Sequence, residues 1–143
     1  CNEYSIKDKR IQDLVKAAIE VKANAYCPYS NFRVGASLLT ENDVIITGCN
    51  VENASYGLSV CAERVAIMSA VSQGHTKFKA AAVSCDIKGD FKAPCGACRQ
   101  FYAEFNLDLD LYLVKPDNTV KCVKIRDVLP MAFTPQSLEE DRI

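Results

Sequence analysis

The period of the apolar positions changes several times along the chain, and those changes predict its elements. Residues 5–24 carry Ile11, Leu14, Val15, Ala18 and Val21, the three-and-four spacing that gathers an apolar stripe on one side of a helix. Ser5 followed by Asp8 resembles a capping start, with Asp weaker than Glu in that role. Pro28, within Tyr26-Cys27-Pro28-Tyr29-Ser30, breaks the chain into a loop. Residues 32–40 and 44–47 are rich in apolar and β-branched side chains and flank Glu41-Asn42-Asp43, a hairpin signal. The polar stretch from Asn50 to Gly57 is a loop. Residues 61–73 are apolar almost all round the helical wheel, through Ala62, Val65, Ala66, Ile67, Met68, Ala70 and Val71. Such a helix is expected to be buried, and Gly74 is a fitting stop for it.

Residues 78–85 form a short continuous apolar run, as in a buried parallel strand. Pro94 introduces a helix over 96–105, residues 109–114 read as a strand, and Lys115-Pro116-Asp117-Asn118-Thr119 turns the chain into 120–123. The order is α, β, β, α, β, α, β, β, then an irregular tail. Strand–helix–strand crossovers favour parallel pairing and right-handed connections. The expected fold is therefore α/β: three layers, α-β-α, with helices on both faces of a mixed five-stranded sheet. No repeat, linker or low-complexity tract interrupts it, and 1–143 reads as one domain.

Composition narrows the function. Seventeen basic and 18 acidic side chains leave a net charge of −1 with no basic run. That argues against a nucleic-acid partner, whose phosphates dominate affinity, and favours a small ligand. No stretch reaches the ~18 apolar residues of a membrane span, and residues 1–10 show no signal-peptide pattern. The eight cysteines are Cys1, Cys27, Cys49, Cys61, Cys85, Cys95, Cys98 and Cys122. They suit a reducing compartment, the cytoplasm, with most thiols packed as small hydrophobes and a minority binding metal.

The chemistry concentrates in Cys61-Ala62-Glu63 and Pro94-Cys95-Gly96-Ala97-Cys98, both at predicted helix starts. Cys95 and Cys98, three apart across a tight turn, suit one metal ion, and Cys61 completes three ligands. A lone C-x-x-C is also found in redox pairs and in structural zinc ribbons. A ribbon needs a second such pair, and a redox motif leaves Cys61-x-Glu63 unexplained. His75, the sole histidine, follows the helix stop and reads as a surface turn residue. Catalytic zinc with three protein ligands keeps its fourth position for water and lowers that water's pKa toward ~7. Glu63, two residues from a ligand, stands where a proton shuttle belongs. The pairing matches the nucleobase deaminase pattern in its three-cysteine form. Three thiolates about Zn²⁺ leave a net charge of −1. The helix N-termini and Arg64, one turn from Cys61, offset that charge.

These residues resemble the cytidine deaminases, specifically the small homotetrameric class with three cysteine ligands. The likeness runs from residue 25 to about 135. It includes Tyr26-Cys27-Pro28-Tyr29-Ser30-Asn31-Phe32-Arg33-Val34-Gly35-Ala36, Gly48-Cys49-Asn50-Val51-Glu52-Asn53-Ala54-Ser55-Tyr56, Cys61-Ala62-Glu63-Arg64, Pro94-Cys95-Gly96-Ala97-Cys98-Arg99-Gln100 and Leu129-Pro130-Met131-Ala132-Phe133. The resemblance implies one Zn²⁺ per subunit and hydrolytic attack on C4 of the cytosine ring. Glu63 would carry protons to N3 and to the departing amino group. Asn50 and Glu52 would bind the ribose as a buried pair, Phe32 would wall the pyrimidine, and the backbone of Ala62 would contact the base. Neighbouring subunits of the homotetramer would supply Ala54, Tyr56 and Phe133. A polynucleotide deaminase is the nearest rival, and the neutral charge and the Asn50/Glu52 pair argue against it. A deaminase of a nucleoside-like antibiotic shares much of the architecture, but the Asn50–Tyr56 segment resembles the nucleoside class, and Glu63 beside an open three-ligand site argues against a non-catalytic zinc module.

Overall fold

Asp8 caps the helix that follows it, its carboxylate accepting the amide of Arg10 at 2.9 Å, as an N-cap does. The computed structural model describes residue 1 and residues 6–143. Helix α1 spans Lys9–Val21. Ile6 and Lys7 are helical as well, parted from it by a bend at Asp8, and the Ser5 cap lies outside the described residues. A 3₁₀ turn, Lys22–Asn24, ends it.

Strand β1 is Val34–Thr40 and β2 is Ile45–Cys49. β1 begins two residues later than expected. The Asn50 side chain takes the Val34 amide (2.9 Å) and the Phe32 carbonyl (2.8 Å), which removes both from the ladder. The hairpin turns at Asp43, whose φ of 64° suits a short polar side chain. Helix α2 is Ala62–Ser72, β3 is Phe78–Cys85, α3 is Gly96–Phe105, β4 is Asp110–Val114 and β5 is Val120–Lys124. The tail is more regular than expected, with a short helix α4 at Ile125–Val128 and a 3₁₀ turn at Pro135–Glu139.

The five strands lie in the order β2-β1-β3-β4-β5. Only β3 and β4 pair in parallel; the other neighbours are antiparallel. Alternation along β1 and β3 divides the core between two faces. Leu39, Ala80 and Ala82 meet Ile11, Leu14 and Ala18 of α1. Leu38, Ala81 and Val83 face the opposite way, toward Ala62, Ala66 and Ile67 of α2 and Tyr102 of α3. This is the expected three-layer α-β-α arrangement.

Two glycines let the helices sit this close. A Cβ on Gly35 would stand 2.1 Å from the Ala18 carbonyl oxygen, and one on Gly48 would stand 2.4 Å from the Ala66 nitrogen and 2.8 Å from the Ala62 oxygen. Backbone thus packs on backbone on both faces of the hairpin. Gly48 sets the height of α2, and with it the position of residues 61–63.

Two expectations need correcting. Helix α2 is not covered all round: Met68 and Val71 are 46% and 42% exposed. With Phe101 of α3 they border an apolar groove of about 490 Å³, so the second apolar face lacks a cover among the described residues. The cysteines are not all thiols either. Cys1 and Cys122 are joined in a disulfide across 121 positions, a pairing that spacing could not reveal, and six cysteines remain free.

Candidate active site and metal centre

Two helix starts converge at one end of the sheet. Cys61 is the N-cap residue of α2 and Cys95 that of α3, each with extended backbone and neither using its side chain to cap. Their sulfurs are thereby free to face one another, with unpaired helix amides behind them that favour negative charge. Cys98, in the first turn of α3, is fully buried. The Cys61–Cys95 and Cys95–Cys98 sulfurs are 4.0 and 3.5 Å apart, and all three lie within 4.8 Å of one another. Tetrahedral zinc with Zn–S bonds of about 2.3 Å places its sulfurs about 3.8 Å apart. The cluster fits that ion.

The thiols' own acid–base behaviour agrees. Hydrogen bonding with Cys98 and with the Arg64 guanidinium pulls the Cys61 thiol down to about 5. Beside that thiolate, and buried, the Cys98 thiol is pushed far up. A divalent cation between the sulfurs is what would let Cys98 ionise beside the Cys61 thiolate. Arg64 donates from Nη2 to Cys61 Sγ at 3.4 Å, while its guanidinium lies 5.9 Å over the Phe101 ring. The side chain is thus braced by α3 as it reaches back to α2.

Glu63 is 5% exposed. Burial raises its carboxyl above the usual carboxylate range, and the Cys61 thiolate adds to the effect. Next to it a cavity of about 430 Å³ opens, lined by Phe32, Asn50, Glu52, Cys61, Ala62, Glu63 and Cys95. Val60, Val83, Cys85, Ile87 and Ala93 also line it, and the sequence did not single them out. A signal was available, since the C-terminal end of β3 and the loop after it border the crevice beside a parallel pair.

The polar end of the cavity is partly engaged in holding the loop around it. Asn50 is buried and bonded through its side chain to the backbone on both sides of Arg33. Glu52 accepts from the amides of Tyr29 (3.0 Å) and Ser30 (3.1 Å) and from the Ser30 hydroxyl. Those bonds, the hydroxyl's foremost, hold its carboxyl below the usual range. Unlike Asn50, Glu52 is only half-buried, so the two do not form the equally buried pair the sequence suggested. Ala54, Tyr56 and Phe133 do not line this cavity. Tyr56 and Phe133 stand 73% and 61% exposed, and Tyr56 packs against Tyr29 with ring centroids 5.6 Å apart. His75 is half-buried, its amide bonded to the Ala70 carbonyl at 2.9 Å.

Residues 8–113 match the family model for the cytidine and deoxycytidylate deaminase zinc-binding region. A probable cytidine deaminase from Dictyostelium discoideum is 44% identical over 133 residues, covering 93% of this chain and 90% of the relative. The cytidine deaminase of Halalkalibacterium halodurans is 43% identical over 130 residues, 90% and 98% of the two chains. Among solved structures, the cytidine deaminase of Burkholderia pseudomallei superposes with a TM-score of 0.82 at 45% identity, over 85% of this chain and 98% of that one. The Mycobacterium tuberculosis cytidine deaminase gives 0.75 at 37% identity, over 88% and 98%. Three thiols at zinc spacing, a buried glutamate beside them and these likenesses agree: the chain belongs to the cytidine deaminase family, zinc-binding hydrolases that act on a C–N bond.

Proposed function

We propose that this chain hydrolyses cytidine and deoxycytidine to uridine and deoxyuridine with release of ammonia, as one deaminase domain over 1–143. The observation that carries the reading is the cluster of Cys61, Cys95 and Cys98 against buried Glu63, at the floor of a cavity large enough for a nucleoside. The three thiolates would hold one Zn²⁺ per subunit. Bound there, zinc supplies a polarised water as nucleophile at neutral pH.

The chain's own residues do the rest. Glu63, the buried carboxylate beside the cavity, takes a proton from the attacking water and delivers it to N3 as the C4–O bond forms, then takes the remaining hydroxyl proton and passes it to the amino group as the C4–N bond breaks and ammonia leaves. It acts as base and then as acid. Arg64 draws charge off Cys61, keeping an anionic ligand set from weakening the metal's pull on water. Phe32 walls the pyrimidine and the Ala62 backbone meets the base. Asn50 and Glu52 receive the ribose while their remaining bonds keep the 29–34 segment in place.

A homotetramer completes the reading. Ala54, Tyr56 and Phe133 stand outside their own chain's cavity, which suits a contribution to a neighbour's. The uncovered apolar groove between α2 and α3 suits burial by a second copy. With a net charge of −1, a nucleic-acid partner is not part of the proposal, and neither is a membrane. Cytoplasmic pyrimidine salvage is the setting it fits. The test follows ultraviolet loss with cytidine, deoxycytidine and a cytosine-containing oligonucleotide, using zinc-loaded protein. Turnover of both nucleosides and not of the oligonucleotide is expected. Turnover of the oligonucleotide alone, or of none, overturns the proposal.

A further inference from the structure

Arg99 lies next to Cys98 in sequence, and its two side-chain hydrogen bonds go to backbone carbonyls far apart in the chain. Nε donates to the Pro94 carbonyl at 2.7 Å, and Nη1 donates to the Val128 carbonyl at 2.7 Å. Pro94 immediately precedes Cys95, so its carbonyl belongs to the peptide that sets the Cys95 backbone. Val128 ends α4 and begins the tail. The next residue, Gln100, donates to the Phe133 carbonyl at 2.8 Å. One turn of α3 thus grips both the loop that delivers a metal ligand and the segment that carries Phe133.

The restraint adds to the few that Cys95 has: its carbonyl accepts from the Arg99 amide at 3.0 Å, and the Pro94 before it is buried. The Cys95 side chain is exposed and makes no cap bond, and Pro94 lacks an amide with which to anchor the irregular loop before it. A charged donor on that carbonyl fixes the Pro94–Cys95 peptide plane and, through it, where the sulfur stands relative to Cys61 and Cys98. A guanidinium spans the two carbonyls at once with its planar fork, whereas an ammonium is a point donor on a flexible stem. We propose that Arg99 is a positioning residue that couples the placement of Cys95 to docking of the C-terminal tail.

The inference rests on Cys95 being a zinc ligand, and its test separates the two ideas. Zinc release from the holoenzyme to a chromophoric chelator, the visible spectrum of the cobalt-substituted protein, and amide exchange of residues 129–134 are measured for wild type, Arg99→Lys, Gln100→Ala and Cys95→Ser. Arg99→Lys should stay folded, release zinc about tenfold faster or more, shift the cobalt bands and speed exchange in the tail. Gln100→Ala should speed tail exchange while zinc release stays near wild type. If Arg99→Lys releases zinc within twofold of wild type, or loses zinc while the tail is unchanged, the coupling is overturned. If Cys95→Ser holds zinc as wild type does, the ligand assignment falls and the coupling with it.

Discussion

Glu63 illustrates how a single side chain acquires its chemistry from its surroundings. Burial and the neighbouring thiolate both disfavour its charge, so it holds a proton more readily than a surface carboxylate would. Glu63→Gln keeps the shape and removes the proton carrier. It should retain full zinc content and an unchanged fold while kcat falls by about 10²-fold or more, measured by steady-state kinetics beside metal analysis. Arg64→Gln should keep the metal yet slow turnover, because Cys61 loses the guanidinium at 3.4 Å; an unchanged rate would remove its tuning role. The sequence displayed these residues plainly, since three cysteines and a glutamate at such spacing have few other uses. It could not display that Asn50 and Glu52 spend hydrogen bonds on residues 29–34, because side-chain partners that far apart in sequence are set by the fold.

Among the elements, periodicity located every strand and the three long helices, while their ends depended on bonds that no window of sequence contains. The late start of β1 follows from the Asn50 amide, and the start of α1 from Asp8. Asp86, just after β3, shows how such ends are tied together. It accepts from Lys22 Nζ at 2.8 Å and Arg33 Nε at 3.0 Å, joining the end of α1 to the segments before β1 and after β3. The Lys22 bond, chiefly, holds the Asp86 carboxyl below its usual value. A depressed carboxyl contributes stability above the ordinary carboxylate range and loses it as pH falls through the folded-state value. Asp86→Asn should therefore destabilise the fold near neutrality by up to about 1 kcal/mol, because the carboxyl is more than a third exposed and water screens its pair with Lys22. The gap to wild type should narrow below about pH 4. Denaturant titrations at pH 7 and pH 3.5 check this, and a constant difference would contradict it.

For the whole molecule, the apolar groove between α2 and α3 is the part the sequence misrepresented. An all-round apolar helix looked like a core helix, because a pattern of side chains does not say whether the cover comes from the same chain or another copy. If the proposed homotetramer buries this groove, Phe101→Glu should leave the monomer folded and lower the sedimentation coefficient; a tetramer that persists in the variant would mean that other surfaces hold it. Stripping zinc with a chelator should lower Tm by at least about 5 °C, since an ion that binds only the folded state stabilises it by mass action. A scanning-calorimetry trace that does not move would argue against Cys61, Cys95 and Cys98 as one site.

The glycine under α2 bears on how this chain tolerates change. Gly48 touches neither the cavity nor the thiols, yet a single methyl there would collide with the backbone of Ala66 and Ala62. The helix would have to rise off the sheet, carrying Cys61 and Glu63 with it. In a random library selected for growth on cytidine as the sole source of uracil, Gly48 should therefore be as invariant as the cysteines. The exposed Glu41 and Asn42 of the neighbouring hairpin turn should vary freely. The limits on the chemistry are drawn partly by a residue with no side chain at all.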